Sequence, residues 1–229
     1  MLSSFPAPIH AVVIGASGGI GAALAGLLDA DPAVGRVTRF TRDVLDLTSP
    51  ASISAAAASL AEPPRLVICA TGLLHADTLR PERALRELNA DALARSFATN
   101  ATGPALVAQA FLPLMPREGK SLFAALGARV GSISDNRLGG WHSYRAGKAA
   151  LHQLIRTIAI EHARRWPEAV VAALHPGTVD TALSQPFQRS AKTLFTPAQS
   201  AAHLLAVVDQ LTPSQSGHIF DWRGEEITP

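Results

Sequence analysis

A glycine-rich turn near the N-terminus constrains the fold more than any other feature of the sequence. Residues 15–21 read Gly-Ala-Ser-Gly-Gly-Ile-Gly, between the apolar residues 11–14 and the small apolar residues 22–28. Because glycine has no Cβ, this spacing allows a sharp turn from a strand into a helix and a close approach of a ligand to the backbone. The N–H groups at the start of such a helix bind anions, including the pyrophosphate of a dinucleotide. Similar glycine spacing also occurs in ordinary turns, so other motifs must support this interpretation.

The composition is that of a single globular domain spanning residues 1–229. Of the residues, 48% are hydrophobic, and no shift in composition marks an internal boundary. The formal net charge is +2 and the basic residues are scattered, which argues against a nucleic-acid partner. The single cysteine, Cys69, lies in an apolar run and has no partner for an internal disulfide, which fits a cytoplasmic protein.

The N-terminal region also bears on the question of membrane insertion. Residues 11–28 carry no charge and are long enough to span a bilayer, but their glycine density argues against a transmembrane helix. No Lys or Arg precedes this run, which argues against a signal peptide. We therefore expect no membrane partner.

Short apolar runs alternate with helical patterns along the whole chain. The pattern predicts seven strands, at residues 11–14, 36–41, 44–47, 66–70, 121–126, 170–174 and 218–222. Helices are predicted after residue 49, over 81–115 with an interruption near Asn89, over 143–166, and from a capping box at 196–199. This order indicates an α/β fold with a doubly wound, Rossmann-like parallel sheet covered by helices on both faces. The ligand crevice is then expected at the carboxyl ends of the strands.

The only tyrosine in the chain, Tyr144, lies four residues before Lys148 on a predicted helix. This spacing places both side chains on one helical face, where an ammonium group would lower the pKa of the phenol. The pair therefore suggests acid–base chemistry, although a surface Tyr followed by Lys is the more ordinary interpretation of the pair alone.

Taken together, the motifs resemble those of the short-chain dehydrogenase/reductase family. The glycine turn, Asn100, Tyr144-x-x-x-Lys148 and Pro176-Gly177 occur in the family's order and rough spacing. Residues 129–136 and 139–141 further resemble a shorter subgroup that includes the C-factor signalling proteins and small carbonyl reductases. The resemblance implies binding of NADP or NAD and hydride transfer between the cofactor and a carbonyl or alcohol substrate.

The resemblance also implies roles for individual residues. Tyr144 would be the acid or base, Lys148 would lower its pKa and hold the nicotinamide ribose, and Asn100 would anchor a proton-relay water. Asn100, Tyr144 and Lys148 would also contribute to cofactor binding. The other implied cofactor-binding residues are Gly15, Ser17, Gly18, Gly19, Ile20, Gly21, Asp46, Leu47, Ala70, Thr71, Gly72, Pro176, Gly177, Thr178, Val179 and Thr181.

Arg42 follows the second predicted strand, where a dinucleotide-binding fold meets the adenosine ribose. A guanidinium there suits a 2′-phosphate, so we expect NADP to be preferred over NAD. Asp43 could instead bind the 2′-hydroxyl, although Arg39 and Arg42 beside it disfavour that arrangement.

The sequence departs from the family at the active-site serine. The serine aligns with Ala128, beside Gly127, and neither residue carries a hydroxyl. Ser132 lies twelve residues before Tyr144, so we predict that it supplies the missing hydroxyl; its rivals are Ser134 and Ser143. The alternative is that all three are ordinary loop serines. A second departure is Gly147, where the family commonly has serine.

The remaining expectations concern substrate, metal and assembly. Apolar and aromatic residues are expected to rim a cavity for a carbonyl compound, namely Leu73, Leu74, His75, Leu138, Trp141, His142 and Phe187. His75 and His142 have no metal-ligand partners at useful spacing, so no metal is predicted. The resemblance suggests a homodimer or homotetramer formed through helices within 94–115 and 143–166. A dinucleotide-binding regulator or signalling protein is the alternative function, and a sugar-nucleotide epimerase is a more distant one.

Overall fold

Strands and helices alternate along the chain in a computed structural model that describes residues 2–76, 79–190 and 193–229. The strands are β1 (Ile9–Ile14), β2 (Val34–Phe40), β3 (Leu66–Cys69), β4 (Ser121–Leu126), β5 (Ala169–His175) and β6 (Ile219–Asp221). The α-helices are α1 (Gly19–Asp29), α2 (Pro50–Ala58), α3 (Ala90–Phe97), α4 (Gly103–Phe111), α5 (His142–Ala163) and α6 (Pro197–Gln210). The strands form one parallel sheet in the order β2-β1-β3-β4-β5-β6.

Helices cover both faces of this sheet, as the alternating pattern predicts. On one face, Val12 and Phe123 belong to a buried cluster with residues of α2, α4 and α5. On the other face, Val13 and Leu122 pack with residues of α1 and α6. Strands buried on both sides read as continuous apolar runs, which is why the sequence reveals them clearly. The predicted Rossmann-like architecture is confirmed.

The chain reverses its direction of travel across the sheet at β1. From β1 it moves outward to β2, and then it crosses back to β3 on the other side of β1. In sheets of this kind the ligand crevice lies outside the carboxyl ends of the strands at such a reversal. The glycine turn follows β1 directly, so the topology places it at this crevice.

The prediction of a strand at residues 44–47 is wrong, and the sheet has six strands rather than seven. The backbone bonds here are local: the N–H groups of Val44 and Leu45 both donate to the carbonyl of Thr41, at 3.1 and 2.9 Å. Leu45 and Leu47 are buried in the core near α2 and α4. Their alternation therefore reflects packing against helices and not pairing in a sheet.

The predicted helix starts agree with the structure, whereas the long pattern over 81–115 divides into several elements. Asn89 caps α3, and a π-helical turn, Ala98–Thr102, separates α3 from α4. Thr196 and Gln199 form the predicted capping box of α6. In the part of the chain that the structure describes, no helix combines the length and apolar character needed to cross a bilayer.

Candidate active site

The glycine turn forms a cradle in which Gly15, Gly19 and Gly21 have no room for a side chain. A Cβ on Gly21 would lie 2.2 Å from the carbonyl oxygen of Gly15, and one on Gly19 would lie 2.8 Å from Cγ2 of Thr181. Gly15 has a φ of +82°, which favours glycine. Gly18 precedes α1 and offers no side-chain cap, so the first N–H groups of α1 are left for an anionic ligand. Ser17 is exposed beside them, and Ile20 is partly buried.

Two further loops meet this cradle. After β3, the carbonyl of Ala70 and Cγ2 of Thr71 would lie 2.7 and 2.8 Å from a Cβ on Gly15. After β5, the loop that begins at Pro176 brings Thr181 against Gly19. This loop is anchored because the hydroxyl of Ser200 donates to the carbonyl of Pro176, at 2.9 Å.

The same loop after β5 carries the rest of the predicted carboxamide segment. Gly177 has a φ of +78°, and Thr178 follows it with partial exposure. Val179 is buried and forms a parallel bridge with Phe195. The structure thus brings the predicted segment to the crevice, beside the turn that follows β1.

The predicted adenine-side residues lie beyond β2 in different environments. Arg42 is exposed, and so is Asp46, whose carboxylate accepts from the N–H and hydroxyl of Thr48 at 2.8 Å each. Those bonds lower the pKa of Asp46. Leu47 is buried in the core, where its Cβ would lie 2.8 Å from a Cβ on Gly103. Its side chain therefore packs the protein interior.

Asn100 is fully buried within the π-helical turn between α3 and α4. Its Oδ1 accepts from the N–H of Leu73 at 3.0 Å, while its Nδ2 donates to the carbonyl of Leu73 at 2.8 Å and to Oγ of Ser96 at 3.2 Å. π-Helical turns occur frequently at functional sites. Here the turn fixes Asn100 against the loop that follows β3.

Tyr144 and Lys148 lie in the first two turns of α5. Nζ of Lys148 is 5.8 Å from the ring centroid of Tyr144 and donates to the carbonyl of Leu126 at 2.6 Å. A Cβ on Gly72 would lie 3.6 Å from Oδ1 of Asn100 and 3.8 Å from Nζ of Lys148. Asn100 and Lys148 therefore meet beside Gly72, at the edge of the glycine cradle, and Tyr144 lies next to Lys148.

The pKa prediction for Tyr144 is wrong for this structure. Although the Tyr144 side chain is partly exposed, desolvation raises the pKa of its phenol to about 12, in the direction opposite to that expected from Lys148. Burial also lowers the pKa of the Lys148 ammonium to about 8. Desolvation disfavours the charged form of each group and is the main cause of both shifts.

Aromatic side chains from three segments meet near Tyr144. Trp141 contacts both Tyr144 and Phe187, with ring centroids 6.2 and 5.1 Å apart, and His75 contacts Phe187 at 5.8 Å. Leu73 and Leu74 lie beside Tyr144 in a small cavity. Leu138 is 90% exposed, and His142 begins α5. The structure therefore brings together most, but not all, of the predicted substrate rim.

The hydroxyl of Ser132 is engaged with the C-terminal segment. Its Oγ donates to the carbonyl of Thr228 and accepts from the N–H of Asp135 at 3.1 Å. Its rivals are engaged too: Ser134 donates to the carbonyl of Pro229 at 2.7 Å, and Ser143 donates to Glu82. The catalytic role of Ser132 stays a prediction, which turnover by Ser132→Ala would test.

Glu82 and Ser96 are functional candidates that the sequence did not reveal. Glu82 is a buried carboxylate bonded to Ser143, and Ser96 links Ser143 to Asn100. Neither belongs to a motif, and no local spacing distinguishes them from surface residues. Across the described ranges, no group of three or more His, Cys, Asp or Glu side chains is placed to hold a metal ion.

A doubly wound sheet with a glycine cradle and a Tyr–Lys pair at its switch point is the arrangement of a nucleotide-dependent oxidoreductase. A family model described as enoyl-(acyl carrier protein) reductase matches residues 30–210, and the chain belongs to the short-chain dehydrogenase/reductase family.

Individual relatives agree with this assignment. The chain is 36% identical to the C-signal protein of Myxococcus xanthus over 145 residues, which cover 63% of this chain and 82% of the relative. It is 33% identical over 173 residues to 1-hydroxy-2-glutathionyl-2-methyl-3-butene dehydrogenase of Rhodococcus sp. (strain AD45), covering 76% and 73% of the two chains. The NADPH-bound carbonyl reductase from chicken fatty liver superposes with a TM-score of 0.85 at 25% identity, covering 99% and 97%.

Proposed function

We propose that this protein is an NADP(H)-dependent oxidoreductase that interconverts a small carbonyl compound and its alcohol, with Tyr144 as the general acid–base. The observation that carries the proposal is that Asn100 and Lys148 meet beside Gly72, next to the glycine cradle, with Nζ of Lys148 5.8 Å from the ring centroid of Tyr144. Perturbed titratable groups at a topological switch point are typical of a catalytic site.

The cradle fits a dinucleotide. A Cβ on Gly15, Gly19 or Gly21 would overlap neighbouring protein atoms, and the uncapped N-terminus of α1 offers N–H groups to a pyrophosphate. The similarity to a carbonyl reductase that binds NADPH supports the same cofactor here. The residues that would hold the cofactor are those of the glycine turn, Ala70, Thr71, Gly72, Asn100, Tyr144, Lys148 and the loop from Pro176 to Thr181. On the adenine side they are Asp46 and the main chain of Leu47, whose side chain packs the interior.

The chain's own residues would handle the proton. When bound, NADPH supplies a hydride to the carbonyl carbon, and the carbonyl oxygen then needs a proton. With a pKa raised to about 12, the Tyr144 phenol holds its proton at neutral pH and can donate it to that oxygen. Lys148 would stabilise the resulting phenolate, and Asn100 would orient a water that returns the proton. Oxidation of the alcohol would reverse these transfers.

The preference for NADP is proposed on the basis of Arg42. Arg39 pairs with Asp29, and Asp43 accepts from the hydroxyl of Thr41, so both are occupied elsewhere. Arg42 is exposed just after β2, and its charge contributes to lowering the pKa of the nearby Asp46 carboxyl. A guanidinium at this position can bind a 2′-phosphate through charge-assisted bonds.

Arg42→Ala should weaken NADPH binding about tenfold or more and leave NADH binding within about twofold, since only NADPH carries the 2′-phosphate. Nicotinamide fluorescence titration would measure both dissociation constants. Arg39→Ala is the matched control, because Arg39 is already paired with Asp29. The proposed role of Arg42 would be contradicted if Arg42→Ala and Arg39→Ala lost equal NADPH affinity, or if the wild type bound NADPH and NADH equally well.

A dinucleotide-binding signalling protein is the second candidate function. The similarity to C-signal, the absence of a hydroxyl at Gly127 and Ala128, and the engagement of Ser132 with the C-terminal segment favour it. A panel of aldehydes and ketones offered to the NADPH-loaded protein separates the two functions. Cofactor binding without turnover of any member would support the signalling protein.

Location and assembly remain part of the proposal. A cytoplasmic location is compatible with the single buried thiol, Cys69. Pairing of subunits through α3, α4 and α5 is supported by Phe97 and Ile160, which are large and partly exposed on α3 and α5. Sedimentation velocity would determine whether a dimer or tetramer forms.

A further inference from the structure

A buried carboxylate lies directly behind the first turn of α5. Glu82 is 4% exposed, and within the described residues its carboxylate forms no ion pair with a lysine or arginine: it accepts from the N–H of Ser143 at 3.2 Å and from the Ser143 hydroxyl. Burying a carboxylate costs free energy, which the N-terminal dipole of a helix and two donors can offset. Burial raises the pKa of Glu82, but hydrogen bonds from Ser143 and the backbone, with His142 nearby, lower it overall.

The main chain of Glu82 holds the residue before α5. Its carbonyl accepts from the N–H of Trp141. The backbone of Trp141 has a φ of 52°, a left-handed conformation that is rare for a residue with a bulky side chain. Gly139 and Gly140, which precede Trp141, also have positive φ angles, of 63° and 64°. Strained backbone of this kind persists only where its surroundings enforce it, and it is concentrated at functional sites. The strain here presents the Trp141 ring to Tyr144.

A chain of buried hydrogen bonds runs from Glu82 to Asn100. The carbonyl of Ser143 accepts from Oγ of Ser96 at 2.7 Å, and Oγ of Ser96 accepts from Nδ2 of Asn100 at 3.2 Å. Ser96, Asn100 and Ser143 are all buried. A fully satisfied buried network of this kind fixes one arrangement of its members. It therefore joins the helix that carries Tyr144 to the π-helical turn that carries Asn100.

We propose that Glu82 is a positioning residue: its carboxylate and carbonyl hold the first turn of α5, so that Tyr144 faces the substrate and Trp141 forms a wall of the substrate site. Glu82 acts through Ser143 and Trp141 and does not itself touch the reacting atoms. The inference deepens the proposed function and rests on it for the role of Tyr144.

Tyr144 offers a direct probe, because it is the only tyrosine in the chain. Protein labelled with [13Cζ]-tyrosine gives one NMR signal, whose pH titration reports the phenol without any turnover. In Glu82→Ala the first turn of α5 loosens and admits water, so the phenol pKa should fall from about 12 towards 10.0. The titration runs to about pH 10.5, just above the ordinary phenol pKa. Up to that pH, the wild-type signal should remain that of the protonated phenol, whereas the signal of Glu82→Ala should move towards that of the phenolate.

Kinetics provide the second readout. We expect kcat to fall about tenfold in Glu82→Gln, which keeps one acceptor, and further in Glu82→Ala, with KM for NADPH within about twofold. Glu87→Ala is the control in the same segment, because Glu87 is exposed and accepts from the N–H of Arg83. It should leave both readouts unchanged.

A folded Glu82→Ala that keeps the wild-type titration and kcat would overturn the proposal, even if its melting temperature fell. If Glu82→Ala does not fold, Glu82→Gln and Ser143→Ala are compared with their double variant. If the two single changes shift the pKa of Tyr144 in a non-additive way, Glu82 acts through Ser143 and the proposal is supported. Additive shifts contradict it. If the wild type shows no turnover, the proposed function fails, while the NMR titration still decides whether Glu82 positions Tyr144.

Discussion

At the scale of single residues, His152 explains why the position beside the expected serine is glycine. A Cβ on Gly127 would lie 2.9 Å from Nε2 of His152, and one on Gly131 would lie 2.7 Å from Cε1. The His152 ring therefore fills the space that a side chain at Gly127 would need. Both of its ring nitrogens are buried without a hydrogen-bond partner in the described structure. Burial and the nearby Lys148 and His175 lower the pKa of His152 to about 4.

This buried imidazole should make stability depend on pH. Because the folded-state pKa of His152, about 4, lies below 6.5, the unfolded chain binds more protons between these values. The free energy of unfolding should therefore be highest above pH 6.5 and fall as the pH drops towards 4, by up to roughly 3 kcal/mol from this residue. Urea unfolding at several pH values would measure how the free energy of unfolding changes with pH, and His152→Asn should make that dependence weaker. An unchanged slope in that variant would contradict the pKa assignment.

The predictability of the site also differs from residue to residue. Tyr144 and Lys148 could be predicted because their chemistry depends on residue type and helical spacing, which the sequence displays. The direction of the Tyr144 pKa could not, because desolvation depends on how completely the crevice closes. Glu82 escaped notice for a similar reason, since its partner Ser143 is 61 residues away in the chain.

At the scale of elements, close contact between α3 and α5 explains a second departure from the family. A Cβ on Gly147 would lie 2.7 Å from Oγ of Ser96 and 3.3 Å from its carbonyl oxygen. Glycine at this position therefore lets α5 approach the network that holds Asn100. The close packing of α3 against α5 therefore requires glycine at this position.

Gly147→Ala should lower the free energy of unfolding by about 1–2 kcal/mol, because the added methyl overpacks the contact despite the better helix propensity of alanine. Combined with Ser96→Ala, which removes the nearest atom, it should cost less than the sum of the single changes. Gly26→Ala is the control: nothing lies within 4 Å of a Cβ at Gly26 in α1, so this change should stabilise the helix. Denaturant unfolding would measure all four variants. If the changes in the free energy of unfolding for Gly147→Ala and Ser96→Ala simply add in the double variant, the inferred contact between these two positions is contradicted.

The types of β1, β4, β5 and α5 could be predicted because each has an apolar pattern that extends over most of its length. The segment 44–47 was not, because an alternation of two leucines describes burial against α2 and α4 as well as it describes a strand. The π-helical turn at Asn100 has no sequence signal of its own, since it arises from how α3 and α4 pack around the loop after β3.

At the scale of the whole molecule, the topology gathers residues that are far apart in the sequence. The turn after β1, the loop after β3, the π-helical turn and α5 all meet at the carboxyl edge of the sheet, around Gly72. This convergence follows from a parallel sheet whose strand order reverses at β1. It was predictable from the alternation of strands and helices, whereas the distances within the site were not.

The most direct test of the account compares the wild type with Tyr144→Phe for binding and for turnover. We expect the variant to bind NADPH within about twofold of the wild type, because it loses only one hydroxyl. Its reduction of a carbonyl substrate should fall by at least about 10²-fold, because the proton donor is gone. Fluorescence titration and a stopped-flow assay of NADPH oxidation would measure the two quantities. A Tyr144→Phe variant that binds NADPH and keeps the wild-type rate would contradict the central claim.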